Sequence, residues 1–460
     1  MSILLSALLI IICIICFLTN RYNILLFLLI LSLFGDIFEF QIGVSLKLHH
    51  FIVLMYIPRL IQYYSRSSTL RRTLRPLVWD YLLVIILGLL FGFIIAFNDP
   101  YEAFRTFAQR SEMRAVISSV RILLELSIIV LIVYWFSTNK INIEMIIKTI
   151  SIVLILNVGV ALIDFFNGYI IKNTINPGAR FILGRFTGFS GEPRAFGKYC
   201  SFGLIFLLFF KSIEHDKLRK TAIIVSIIGL SLSLSASSIV ITIIGVGAYL
   251  LYERSFGYLI PVLLVFSLGY IYIQTNNKPN TMNKINMVLG LNKKTYLSKR
   301  VTHDEPEIFR RFEVFDRAAL NFFYHNIGYL VFGTGPNLIS IPASPYLDPI
   351  AKSIFKKGIN STPHSYFVNI LSNTGIVGMI LNLSFFIMLF GKLQHKNTKY
   401  FLVAFCIMSL MVGSSLIYLF SGLIIAPLVL NQNLKIAEQL KPPGRSLNEK
   451  IAFGHSLLQN

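Results

Sequence analysis

The sequence predicts an all-α polytopic membrane protein with about 12–13 transmembrane helices. One large outer (periplasmic) loop, containing short amphipathic helices, completes the expected architecture. Three observations carry this. Hydrophobic residues make up 55% of the 460 residues and charged residues only 14%. Mean hydropathy is +0.70. Apolar runs of roughly 17–25 residues, the length a helix needs to cross the hydrocarbon core, recur from end to end.

The runs near 2–18, 22–40, 48–64, 77–97, 120–136, 145–166, 198–212, 221–236, 238–252, 257–273, 365–390, 400–418 and 420–431 read as spans. The stretch from Thr221 to Tyr252 is too long for one crossing and has basic loops at both ends, so it reads as a tight hairpin of two. Met1–Phe17 lacks the basic start of a signal peptide and reads as a retained helix. The expected organisation is N-terminal spans over 1–166, an Arg-rich outer loop over 167–197 and further spans over 198–273. The large loop over 274–363, the C-terminal spans over 364–431 and a cytoplasmic tail over 432–460 follow.

Short loops rich in Lys and Arg stay on the cytoplasmic side. Arg59, Arg66, Arg71, Arg72 and Arg75 mark one such loop, and Lys211, Lys217, Arg219 and Lys220 a second. Lys392, Lys396 and Lys399 mark a third. Counting spans between them places 98–119, 167–197 and 274–363 outside. The first two spans carry little flanking charge beyond Arg21, so the N-terminal side stays open.

Several function classes lack their signatures. Cys13, Cys16, Cys200 and Cys406 all sit in apolar runs and read as small core residues, with neither a disulfide framework nor metal-ligand spacing. His49 and His50 are adjacent, and the other histidines are scattered. No Gly-rich phosphate loop or dinucleotide fingerprint is present. The reading therefore includes no metal, no cofactor and no nucleic-acid partner.

The net charge of +21 has two sources. One is the cytoplasmic bias. The other lies outside: loop 167–197 sets Lys172, Arg180, Arg185 and Arg194 against Glu192 alone. Loop 274–363 sets twelve Lys or Arg against six Asp or Glu. Lipid headgroups could account for this. An anionic ligand is the sharper reading, because the planar fork of arginine grips phosphate oxygens with paired bonds.

Three segments are candidates for chemistry. Gly184 to Gly197 mixes glycines with Arg185, Glu192, Pro193 and Arg194, and such backbone must be buried in protein or line a wet cavity. Glu192 reads either as an ion-pair partner of a neighbouring arginine or as a base or sugar-hydroxyl acceptor. In the second segment Phe312, Phe315, Ala319, Leu320 and Phe323 form one helical face. Arg310, Arg311 and Arg317 flank it, and a Gly-Thr-Gly-Pro run ends at Pro336. A helix lying on the membrane surface is the plainer alternative. The third segment runs from Ser361 to Gly378. In it His364 stands just before a span, with a side chain suited to proton transfer near neutral pH. Gly375 and Gly378 there would let another helix pack closely.

These segments, in this order, resemble the O-antigen polymerase and ligase superfamily of bacterial inner-membrane enzymes. The matching pieces are Arg185 to Gly188, Gly191 to Pro193, the serine-rich stretch Ser231 to Ser238, Phe332 to Pro336, and Pro363 to Gly378. They cover about the last three hundred residues. Glu192-Pro193 and His364-Ser365 look more like a Wzy-like polymerase than a WaaL-like ligase. The spacings Arg180 to Gly191 and Arg317 to Gly328 are similar to a pattern of the polymerases, though chance gives such pairs in this composition.

The resemblance implies a metal-independent inverting glycosyltransferase of the bacterial inner membrane, with its active site facing the periplasm. Donor and acceptor would be undecaprenyl-diphosphate-linked glycans, with membrane lipids around them and a chain-length regulator protein as a further partner. Arg185 and Arg311 match the arginines expected to hold the diphosphate, with Arg310, Arg317 and Arg194 as neighbours. His364 matches the residue expected near the acceptor. Arg180 and Tyr366 complete the substrate-binding set. Fixed arginines would stabilise the charge that builds on the leaving diphosphate, and His364 or Glu192 would take the acceptor proton. Two rivals remain: a ligase transferring glycan to a lipid A-core, and a transporter or flippase. The transporter should carry paired charges near the bilayer midplane. Arg121, Glu125 and Asp164 instead read as lying near outer span ends.

Overall fold

The structure is a computed structural model. It describes residues 3–35, 39–41, 45–97, 110–167, 186–190, 193–233, 235–254, 309, 314–347, 363, 365–411 and 416–439. Those residues form fourteen α-helices and one short β-ribbon.

The first six helices are α1 (Ile3–Leu18), α2 (Tyr22–Leu33), α3 (Leu48–Arg66), α4 (Ser68–Phe97), α5 (Ser111–Ser137) and α6 (Ile143–Phe166). Then come α7 (Pro193–Phe209), α8 (Asp216–Ser233) and α9 (Ala236–Glu253). After the large loop's described part, α10 (Val314–His325) and α11 (Ile327–Phe332), stand α12 (Tyr366–Lys392), α13 (Lys396–Met411) and α14 (Leu416–Gln439). Four of these, α4, α5, α6 and α12, are long and apolar enough to cross a membrane. The chain is a helical membrane protein. Shorter apolar helices lie within α1, α2, α9 and α14.

Several boundaries differ from the sequence reading. The run 22–40 is not one span: α2 ends at Leu33, and β1 (Glu39–Gln41) pairs antiparallel with β2 (Ser45–Lys47). Gly35 stands where the helix stops, and the pairing satisfies backbone groups that a broken helix leaves open. The outer loop 98–119 loses its second half, because α5 begins at Ser111 rather than near 120. Loop 167–197 likewise ends early, since Pro193 opens α7 with a fixed φ and no N–H to satisfy. The run 257–273 lies outside the described residues. The stretch from Thr221 to Tyr252 does divide in two, at Ser235. The two halves are not a mutually packed hairpin. Both pack on α7, with Gly229 against Cys200 and Gly245 against Ile205.

One end of the bundle collects the basic loops. Tyr63 donates to Ser137 Oγ at 2.7 Å, and Lys392 Nζ to Thr73 at 3.0 Å. Lys211 pairs with Glu253 at 3.0 Å, and Ser212 donates to Glu144. Arg59 lies 5.0 Å from the Phe17 ring and Lys140 5.1 Å from that of Tyr22. The rings of Tyr252 and Tyr400 stand 5.8 Å apart. Hence α1, α3, α5, α7, α9 and the C-terminal part of α12 run toward this end, and α2, α4, α6, α8 and α13 run away from it. The core between is aliphatic and aromatic, with Trp135, Tyr56, Phe206, Phe401 and Phe420 fully buried.

Candidate functional site

The helix α12 is not straight. Gly375 has φ 65° and ψ −157°, outside helical space, and the chain reverses there. Tyr366 and Asn382, far apart along the sequence of α12, therefore meet: the Tyr366 hydroxyl donates to Asn382 Oδ1 at 2.8 Å. Glycine is required at this turn. A Cβ would overlap the Val331 carbonyl of α11, and the positive φ penalises any side chain. Gly375 and Gly378 thus do permit close packing, as the sequence suggested, but Gly375 also makes the turn.

The large loop docks on this turn. Thr334 N–H and Oγ1 both donate to Ser372 O, at 2.7 and 3.0 Å. Gly335 N–H donates to Asn373 O at 3.2 Å, and Asn337 N–H to Asn373 Oδ1 at 3.2 Å. Asn337 Nδ2 reaches Ser118 of α5 at 2.9 Å. Gly333 and Gly335 have φ of 74° and 87°, and Pro336 sits against Gly88 of α4. The Gly-Thr-Gly-Pro run therefore interlocks with Ser372 and Asn373, just before the Thr-Gly-Ile-Val-Gly run, and Gly333 and Gly375 allow the two stretches of backbone to pack closely. The apolar face of α10 covers it. Phe315, Ala319, Phe322 and Phe323 pack with Val368 and Leu371, and Asp316 accepts from Ser365 N–H at 3.2 Å. A small cleft lined by Phe315, Ala319, Ser340 and Pro363 opens beside the chain leading to His364.

The first segment is seated elsewhere, on α6 to α9. Phe186 stacks on Phe165 at 4.0 Å, and Asn157 Oδ1 accepts from Phe189 N–H at 2.7 Å. The serine-rich turn between α8 and α9 closes over the start of α7. Ser238 Oγ donates to Arg194 O at 3.4 Å, and a Cβ at Gly197 would press on Ser233 and Ser238.

Of the sequence-predicted site residues, Arg194 is half-buried in the first turn of α7, and Arg317 is half-buried on α10. Tyr366 is in the interlock rather than facing an open loop. Arg180, Arg185, Glu192, Arg310, Arg311 and His364 lie outside the described residues. The described residues thus join the second and third segments, and seat the first on its own group of helices.

Two buried polar clusters were missed by sequence reasoning. Asp80, inside α4, accepts from Thr374 Oγ1 at 2.9 Å and from Asn382 Nδ2 at 2.8 Å. A lone acid in an apolar run was the available signal. The second cluster is His49, His50 and Glu125, whose ligand-type atoms lie within 4.8 Å of one another. His50 Nε2 stands 3.9 Å from Glu125 Oε1, and Arg121 Nε lies 3.2 Å from that same oxygen. The histidines do cluster, then, and their acid comes from another helix. Because α5 begins at Ser111, Arg121 and Glu125 fall well inside it, not at its end. Tyr366 is linked to the first cluster through Asn382.

The second cluster has donor types that hold cations, but its wiring does not favour one. His50 Nδ1 accepts the Lys47 N–H at 3.0 Å, which leaves the ring proton of neutral His50 on Nε2, the atom facing Glu125. Arg121 already neutralises the carboxylate. The arrangement suits a hydrogen-bonded ion pair. No protein-family model matches the chain, and no curated protein matches it.

Proposed function

We propose that this chain is a membrane-embedded glycosyltransferase that polymerises undecaprenyl-diphosphate-linked repeat units on the outer face of the bacterial inner membrane. The observation that carries the reading is the interlock. Thr334 and Gly335, within the Phe332 to Pro336 piece of the family resemblance, are hydrogen-bonded to Ser372 and Asn373, the two residues immediately before a second piece, Thr374 to Gly378, that is distant in sequence. The gathering of the three basic loops at the opposite bundle end supports it too, since that end would face the cytoplasm. In this reading Arg185 and Arg311 hold the diphosphate, and His364 accepts the proton of the acceptor hydroxyl.

The test is reconstitution of the purified chain with a synthetic lipid-diphosphate repeat unit. A ladder of polymer without added nucleotide supports the proposal. A single transfer to a lipid A-core would favour the ligase, and no transfer to any acceptor would sink both. Loss of the ladder in His364→Ala, with the protein still folded, is the expected result for the proton acceptor. Impermeant labelling of the exposed positions Asn167→Cys and His325→Cys tests the sidedness. Both should react from the periplasm, and protection of either would refute it.

A second reading has its own observation. The buried acid of α4 and the Arg121–Glu125 pair of α5 are the mid-helix charges that a transporter uses. Vesicle uptake or flipping of the lipid-linked unit without polymer formation would favour it.

A further inference from the structure

We propose that Asp80 is a positioning residue, which holds the reversal at Gly375 against α4 and thereby fixes the segment that leads from Ser365 into the interlock. A carboxylate within an apolar span is costly unless its oxygens are used. Both are used here, and by groups on opposite sides of the reversal. Oδ1 takes the hydroxyl of Thr374, the residue before Gly375, and Oδ2 takes the amide of Asn382, beyond it. Asn382 in turn receives the hydroxyl of Tyr366. A single side chain thus ties both arms of the bent helix to α4. Gly378 is small where it must be, because a Cβ there would press on Asp80 Oδ1 and Thr374. The effect extends outward. Ser372 O and Asn373 hold the Gly333–Asn337 loop. At the other end of the same arm Ser365 caps α12 and meets Asp316 of α10.

Asp80 donates nothing and accepts from neutral donors, so its hydrogen bonds, not its charge, carry the role. Asparagine can reproduce them. Its Oδ1 accepts from Asn382, and its Nδ2 donates to Thr374 Oγ1, whose own proton turns to Ile370 O, already 3.3 Å away. Alanine cannot.

The test compares Asp80→Asn, Asp80→Ala and Thr374→Val in the full chain, in detergent. Hydrogen exchange is read over 333–337 and 366–375. Wild-type exchange in Asp80→Asn is expected, with an increase of about tenfold or more in Asp80→Ala and Thr374→Val, the size that leaving a hydrogen-bonding partner unsatisfied implies. This readout does not depend on the activity. Unchanged exchange in Thr374→Val, which keeps its shape and can be read even if Asp80→Ala fails to fold, would overturn the proposal. So would loosening in Asp80→Asn equal to that of alanine, which would mean that the charge itself is needed. The catalytic consequence rests on the polymerase reading: Asp80→Asn should keep polymer formation and Asp80→Ala lose it. Exchange results as expected without polymer from the wild type would reject that reading and leave the positioning role standing.

Discussion

Asp80 and Glu125 are both acids inside long apolar helices, and the protein satisfies them in opposite ways. Asp80 is held by a hydroxyl and an amide, both from α12. Glu125 is held by the guanidinium of Arg121 one turn away on its own helix, with His50 of α3 facing the same oxygen. The first arrangement joins helices through a bent segment whose place matters. The second neutralises a charge locally and asks less of its neighbours. Hydrogen-bonded acids should therefore respond to changes of shape, and ion-paired acids to changes of charge.

The largest effect is expected at the bend itself. Gly375→Ala would place a Cβ on the Val331 carbonyl and hold a non-glycine residue at positive φ. Strain and overpacking together should cost about 2–6 kcal/mol. Thermal unfolding in detergent measures this, and a wild-type midpoint would show that the reversal is not the folded state of α12.

How much of this could be read from the sequence depends on the length scale. The four long apolar helices were legible because an apolar run of that length has few other uses. Their ends were not. Ser111 to Ser119 carries Glu112 and Arg114, which look like loop residues, yet the helix continues through them. The β-ribbon after Leu33 was hidden because its strands are only three residues each, with one apolar residue apiece, too short to show an alternating pattern. Gly375 was singled out for close packing, but its φ depends on what α12 meets, which no local pattern records. The meeting of His50 with Glu125 belongs to the packing of α3 on α5, and neither residue signals the other. The interlock was legible only as two motifs. Their contact is set largely by the backbone carbonyls of Ser372 and Asn373, with the Asn373 amide adding one bond that its side chain alone does not announce.

The ion-paired acid gives the next effect. Removing Arg121 takes a charged hydrogen-bond donor from the Glu125 carboxylate inside α5, at about 1.5–3 kcal/mol. Arg121→Ala should therefore be strongly destabilising, and Glu125→Gln placed on top of it should recover much of the loss. A double-mutant cycle by denaturant unfolding reads the coupling. If the second change adds further loss, Glu125 is not the charge that Arg121 neutralises, and the contrast with Asp80 fails.

The smallest effect concerns a third mode of polar attachment, in the region that seats the first segment. Asn157, fully buried in α6, accepts from Phe189 N–H through Oδ1. The contact is close, since a Cβ at Gly188 would overlap the same amide. It joins neutral partners and carries no charge. Asn157→Ala should cost only about 1–2 kcal/mol, the range for one neutral hydrogen bond and an orphaned N–H. Asn157→Asp separates shape from charge here. The carboxylate keeps an acceptor for Phe189 but puts a charge at a fully buried position. It should be worse than alanine, whereas at Asp80 the neutral amide should be tolerated. Denaturant midpoints of the two Asn157 variants, set beside that of Asp80→Asn, measure this. If Asn157→Asp proves harmless, a charge is admitted at that depth without a partner, and the distinction between acids held by shape and acids held by charge has no physical basis in this bundle.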